Sequence, residues 1–531
     1  MRSFPRALRL PIRYTGPVSV DPAPPDHRVD LALLGLVALL AMVPFWLPSY
    51  LPLMDLPQHL GVVADLAARS ELPFLEERYS VHLVPNSNVL LHLMAWPMVG
   101  LFGPLGAVRI VLSLGAFAWI GGTAFLAHAS GARPAAAVLA LPLMFSEPLA
   151  DGYLNYWLAW PAIFTAWGLL FGPFNRARLA AFSLLAMLAF LAHVQVWGFL
   201  LVTAPLLAAW NGARFPVPSR GRALGMALLG LLPSTAYSAA WAVASFTSNA
   251  AGDWLDEKGT IRWVEPLDWL FGFRFHTLAL GWAGFVEGAA FFTFFLALGL
   301  AVLMAVLRRR LSPVLGLGLA ALLASLVLPE HARNQYFIAS RMVAPAMALV
   351  ALGFVRTATA PAIAAGIVAC FVQLGSVSYA WYRTSGEAVG LREVLADLPS
   401  DATLVALMPD RSAAFTRGSV FLHAAAWHQA LNHGRPGFSF TYFQSSPLRM
   451  RDRSAPSVLK PGKETQPGCA LMKGKLPEYD YYLFRDKRDL CGVGEALDGH
   501  AEPVRKDGDW ALFRRTGRIP KWTKPEGCGC K

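Results

Sequence analysis

The stretch that decides the fold is LALLGLVALLAMVPFWLP at 31–48, followed closely by Met54-Asp55-Leu56-Pro57-Gln58-His59-Leu60. An uncharged apolar run of that length spans a bilayer. The acid beyond it is either a loop residue near the headgroups or the working carboxylate of a site at the membrane surface. The rest of the chain repeats the apolar pattern. Of 531 residues 55% are hydrophobic and 15% charged, and the mean hydropathy is +0.44. That is too apolar for an ordinary soluble domain and points to a polytopic membrane protein.

The net charge of +12 is not a nucleic-acid signal. Arginines cluster in short connections: Arg176 with Arg178, Arg214 with Arg220 and Arg222, and Arg308 to Arg310. Basic residues in short loops orient a bundle with those loops in the cytoplasm. Arg2, Arg6, Arg9, Arg13 and Arg28 precede the first run, and no small-residue cleavage site follows Trp46-Leu47-Pro48. The first helix is therefore read as uncleaved, with residues 1–30 as a cytoplasmic segment.

Spans are expected at 31–48, 105–127, 134–149, 155–172, 223–245, 285–307, 313–328, 335–355 and 360–382, with 179–210 read as two short helices turning near His193. This makes a polytopic α-helical membrane bundle over 31–382 with eleven crossings. Residues 88–103, interrupted by Pro97, are assigned to an interfacial or re-entrant segment. A long outer loop covers 49–88 and a second covers 246–284. After 382 the text becomes polar with alternation, and 383–520 is expected to form a small extracytoplasmic α/β domain. Its helix is placed at 391–398 and its strands at 403–408, 479–485 and 510–514; 521–531 is a flexible tail. Of five cysteines, Cys370 lies in a span, Cys469 and Cys491 could pair outside the cytoplasm, and Cys528 with Cys530 sit in the tail.

Four polar groups recur at the ends of spans. Asp55 and His59 are four apart and share a face if a helix begins after Pro57. Asp55 could take a proton from a hydroxyl, or simply cap the helix; His59 could share that task, hold a phosphate, or be interfacial. Glu147 to Trp157 carries Asp151, Tyr153 and Asn155 in a turn suited to sugar or headgroup contacts, or to plain capping. His193 with Gln195 stands in an apolar run, where polar groups face the bundle interior and bond between helices or to substrate. Glu330-His331-Ala332-Arg333 is followed by Arg341 inside an apolar segment, where a guanidinium suits a phosphate partner or an ion pair with Glu330, Glu147 or Asp55. Tyr79, His82, Asn86 and Asn88 could line the same cavity. Zinc-type cysteine spacing, a nucleophile elbow and a His-Glu-x-x-His helix are all absent, which removes metalloprotease and serine hydrolase readings.

The arrangement resembles the GT-C superfamily of integral membrane glycosyltransferases, which includes the protein mannosyltransferases and the lipid A aminoarabinose transferases. The residues that carry the resemblance are the loop acid in Asp55-Leu56-Pro57-Gln58-His59, then Pro85-Asn86-Ser87-Asn88, and the Gly-bearing stretch from Leu101 to Arg109. They are followed by many spans and an outer C-terminal domain. The resemblance implies a polyprenyl-phosphate-linked sugar donor, Asp55 as catalytic base, and inversion at the anomeric carbon. It implies that Arg341, with Arg333 or His331, holds the lipid phosphate. Leu-Pro follows the acid where many members carry a second acid, so a divalent metal is left open and unsupported, although Glu147 or Asp151 could supply a second carboxylate. Membrane lipids are the other expected partners and the oligomeric state is not legible. The expected location is a bacterial inner membrane. The competing readings are a transporter or flippase of lipid-linked sugars, disfavoured by the lack of two related halves, and a non-catalytic envelope glycan assembly protein using Trp427, His428, Tyr442 or Trp510.

Overall fold

The computed structural model describes residues 28–531 apart from 174, 213–216, 248–260, 264–277, 291–298, 300–302, 304–311, 332–336, 355–359, 409–410, 444, 453–458, 460–478, 486–496 and 519–531. Among the described residues four helices are long and apolar enough to cross a membrane: Arg28–Trp46, Leu90–Ala129, Gly221–Ser245 and Ala360–Glu387. Shorter apolar helices run over Val194–Trp210, Pro313–Val327 and Ser340–Gly353. One turn of the reading holds locally, and a kink marks another place. The 179–210 segment forms the helices Arg176–Ala192 and Val194–Gly212, separated at His193 by one extended residue. The Leu90–Ala129 stretch is kinked at Gly103, which takes φ 66° and ψ 170° and is followed by Pro104. Only glycine adopts that backbone cheaply, and proline cannot continue the preceding turn.

The span expected at 134–149 is not a helix. The chain there forms two 3-10 turns, Pro134–Leu139 and Leu141–Met144, then the single turn Glu147–Ala150. Pro134, Pro142 and Pro148 each open one of these pieces, since a missing N–H is harmless only in a first turn. The segment is nearly all buried within the protein, so its apolar composition serves packing and not contact with lipid. Within the run expected at 335–355 the described apolar helix covers Ser340–Gly353, its first turn 3-10 and the rest, Val343–Gly353, α-helical. Eleven crossings are not confirmed among the described residues.

Small residues set a close helix approach in the bundle. A Cβ at Gly115 would stand 2.4 Å from the Trp157 ring, and one at Gly122 would stand 2.9 Å from the Pro161 carbonyl. The helices Val99–Ala129 and Leu154–Leu169 therefore meet nearly backbone to backbone. Trp119, Trp157, Trp160 and Trp167 are buried along this seam.

Beyond residue 387 a mixed sheet forms in the order β3-β2-β5-β7-β6. Its strands are β2 (Thr403–Leu407), β3 (Arg435–Pro436), β5 (Tyr481–Arg485), β6 (Ala501–Asp507) and β7 (Trp510–Arg515). Strand β2 pairs parallel with β3 and β5, and the β5, β7 and β6 pairings are antiparallel. Sequence reading missed β6, whose Ala-Glu-Pro-Val-Arg-Lys-Asp text shows no apolar alternation; it is an edge strand with an irregularity between Pro503 and Arg505, the place where proline is tolerated. The sheet is anchored to the last apolar helix by buried Arg485, which donates to Glu387 at 2.7 Å and to the Ser412 carbonyl at 2.7 Å.

The 49–88 loop and this C-terminal part are knit into one body. The helix Leu56–Ala68 packs against the helix Ala426–Asn432. Strand β1 (Tyr79–Val81) pairs antiparallel with β4 (Leu448–Met450). Gln58 donates to the Phe438 carbonyl at 3.1 Å and accepts from the Phe440 amide at 2.9 Å. Asp65, fully buried, accepts from Gln429 and bonds His433 Nδ1, each at 2.8 Å. Burial pushes Asp65 above the usual carboxylate range, and those two bonds oppose the shift.

Candidate active site

Asp55 stands at the N-cap position of the Leu56–Ala68 helix, yet its carboxylate makes no cap hydrogen bond. The reason is local. Pro57 has no N–H, and the amides of Gln58 and His59 are taken by the Asp55 carbonyl at 3.1 and 3.3 Å. The side chain is left to face a cavity of about 700 Å³, within the size range of small-molecule sites. One oxygen, Oδ1, lies 3.2 Å from His423 Nε2. A carboxylate only accepts, so Nε2 carries the proton.

The backbone of Asp55 is fixed by the turn that precedes the Leu154–Leu169 helix. Met54 N donates to the Ala150 carbonyl at 2.9 Å, and Asp55 N to the Asp151 carbonyl at 3.2 Å. Gly152 in that turn has φ 83°, and a Cβ on it would come within 2.6 Å of Asp55 N. His59 clamps the same turn by donating Nε2–H to the Gly152 carbonyl at 3.2 Å. Burial pushes His59 down to about 4, against the charge of Asp55, so the ring is neutral at pH 7. A neutral ring that donates through Nε2 accepts through Nδ1, which places the proton of the 3.3 Å contact on His92 Nε2. Both nitrogens of His59 are thereby occupied.

Arg341 lies on the same cavity, in the 3-10 turn Ser340–Met342. Its guanidinium stacks 3.5 Å from the Tyr153 ring centre, and its carbonyl accepts from Tyr156 Oη at 2.8 Å. Its Nε is buried without a hydrogen-bond partner among the described residues. Glu330 is spent elsewhere, accepting from Ser340 N at 3.0 Å and Ser340 Oγ at 2.8 Å. Asp151 completes this wall of the cavity. Burial, then the neighbouring carboxylates Glu147 and Asp55, push it well above the usual carboxylate range, with Arg341 opposing.

One cavity therefore gathers Asp55, His59, Asp151, Tyr153, Asn155, His193 and Arg341. Asn155 gives both ends of its amide to backbone, accepting from Leu91 N and donating to the Asn88 carbonyl, each at 2.8 Å. His193 sits edge-on to Tyr156 at 5.1 Å. His331 is not on the cavity; its backbone bridges Arg262 and its ring lies against Phe337. Arg333 lies outside the described residues. Of the outer-loop candidates Tyr79, His82, Asn86 and Asn88, only Asn88 lines the cavity. Trp427, His428 and Trp510 are core residues. Among the described residues no group of three or more His, Cys, Asp and Glu side chains is placed to hold a metal ion.

Sequence reading missed the wall supplied by the C-terminal part: Arg411, Ser419, His423, Phe438, Phe440 and Phe443. His423 sits in Phe421-Leu422-His423-Ala424-Ala425, apolar text that reads as core.

Burial also lowers His428 to about 4. An unfolded histidine gains its proton near 6.5, whereas His59 and His428 resist it down to about 4. Stability is thus present above pH 6.5 and is lost as pH falls from there to 4. We expect the melting temperature of the detergent-solubilised protein to fall across that window, and His428→Gln to flatten the fall. An unchanged slope in the variant contradicts the assignment.

No family model and no curated protein matches the chain. Among solved structures, the chain is similar to ArnT from Cupriavidus metallidurans, both bound to undecaprenyl phosphate and in the apo state. Each comparison covers 91% of this chain and 97% of that one, at 12% identity and a TM-score of 0.45.

Proposed function

We propose that the chain is a membrane glycosyltransferase that transfers a sugar from a polyprenyl-phosphate donor to a lipid, glycan or protein hydroxyl. The observation that carries this reading is the meeting, in one cavity, of an acid that caps no helix with a buried guanidinium whose Nε is unspent. A buried arginine with no carboxylate in ion-pair contact among the described residues is costly, and a bound phosphate offsets the cost.

In this mechanism the acceptor hydroxyl lies against Asp55. As its oxygen attacks the anomeric carbon, its proton passes to the Asp55 carboxylate. The bond from that carbon to the phosphate oxygen breaks, and its electron pair leaves on the lipid phosphate. Arg341 stabilises the added charge through donors already in place. A single displacement of this kind inverts the anomeric centre. Asp151, whose proton affinity is raised by burial and by the neighbouring carboxylates Glu147 and Asp55, lines the same cavity within reach of a bound sugar. We place the reaction at the outer face of a bacterial inner membrane, with the N-terminus inside and the segment after 382 outside; the arginines gathered in short loops support that orientation.

The test is lipid and surface-glycan mass spectrometry on cells lacking the protein. Loss of one sugar modification, restored by the wild-type gene, is the expected result. Loss of the modification with the lipid-linked sugar trapped on the inner leaflet would favour a transporter instead.

A further inference from the structure

Asp55 depends on a residue that no reading of the outer loop could supply. Its helix cannot hold the carboxylate, because Pro57 offers no N–H and the next two amides are engaged by the Asp55 carbonyl. Among the described residues the side chain that bonds it is His423, at 3.2 Å. His423 is itself buried and braced, stacked on Phe438 at 5.4 Å with an interplanar angle of 25° and edge-on to Phe440 at 6.2 Å. Phe438 and Phe440 belong to the strip whose carbonyl and amide grip Gln58, one turn along the Asp55 helix. The imidazole and the carboxylate are therefore tied to the same two backbone segments.

We infer that His423 is a positioning residue for the Asp55 base. By donating Nε2–H to Oδ1 it fixes the rotamer of the carboxylate and leaves Oδ2 to meet the acceptor hydroxyl, so the C-terminal part completes the site. This rests on the glycosyltransferase reading, in which Asp55 accepts the proton. A carboxylate released from that bond swings toward other donors, and displacement of a reacting group by about an ångström costs on the order of 100-fold in rate.

The experiment uses the full chain in lipid nanodiscs, with the donor and acceptor identified by the mass spectrometry above. Rates are measured for His423→Leu, His423→Gln and Asp55→Asn, with undecaprenyl phosphate binding as a separate probe. The expected result is a fall of about 100-fold in kcat for His423→Leu, with KM and undecaprenyl phosphate affinity unchanged. His423→Gln, which keeps an N–H near the Nε2 position, recovers at least about tenfold of that loss. Wild-type rates in His423→Leu while Asp55→Asn is inactive would overturn the inference alone. Loss of rate, lipid binding and thermal stability together in both His423 variants would also overturn it, as the mark of a merely structural residue. Full activity of Asp55→Asn would overturn the parent reading and this inference with it.

Discussion

Asp55→Asn is expected to lower sugar transfer roughly 100- to 10,000-fold, the usual contribution of a positioned general base, while leaving expression and the melting temperature close to wild type. The asparagine amide has the size of the carboxylate and can still accept from His423, so the wall of the cavity is preserved. What it lacks is the ability to take a proton. The turn beneath it is held by backbone bonds from Met54 and Asp55 to Ala150 and Asp151, which the substitution does not touch. At matched membrane levels, cells carrying Asp55→Asn should show the same missing modification as cells lacking the protein. Full restoration would remove Asp55 from the mechanism.

Arg341→Gln is expected to weaken binding of undecaprenyl phosphate roughly 10- to 100-fold, because a charged hydrogen bond is worth about 1.5–3 kcal/mol. Arg341→Lys should recover only part of this, since a point charge lacks the planar fork that bonds a phosphate twice and stacks on an aromatic ring such as Tyr153. Affinity is read from lipid titrations of the protein in nanodiscs. An unchanged affinity in Arg341→Gln would assign the guanidinium to packing on Tyr153 and Tyr156 and not to the lipid.

The two halves of this site were unequally legible. Asp55 and His59 follow from local spacing, because a helix begins at Leu56 once Pro57 fills its first turn. Arg341 stood out because a guanidinium inside apolar text is expensive wherever it points, and the Asp151 to Asn155 turn stood out by polarity beside spans. His59 was legible as a neighbour of the site but not in its role, which depends on the Gly152 carbonyl and His92 closing on its two nitrogens. His423 and the Phe438 to Phe443 strip were hidden by their distance along the chain from Asp55, since contact between remote segments leaves no mark in local pattern. The 134–149 run shows the opposite failure. Its composition fits a span, and its three prolines, each opening a short buried piece, were the signal that outweighed it.

The central claim is that one cavity holds both the base and the phosphate clamp. It is tested most directly by cryo-electron microscopy of the chain in lipid nanodiscs with undecaprenyl phosphate. The account predicts phosphate density within hydrogen-bond reach of the Arg341 guanidinium, with the Asp55 carboxylate facing it across the same cavity. Lipid phosphate bound at another surface, with the Arg341 cavity closed to it, would contradict the account.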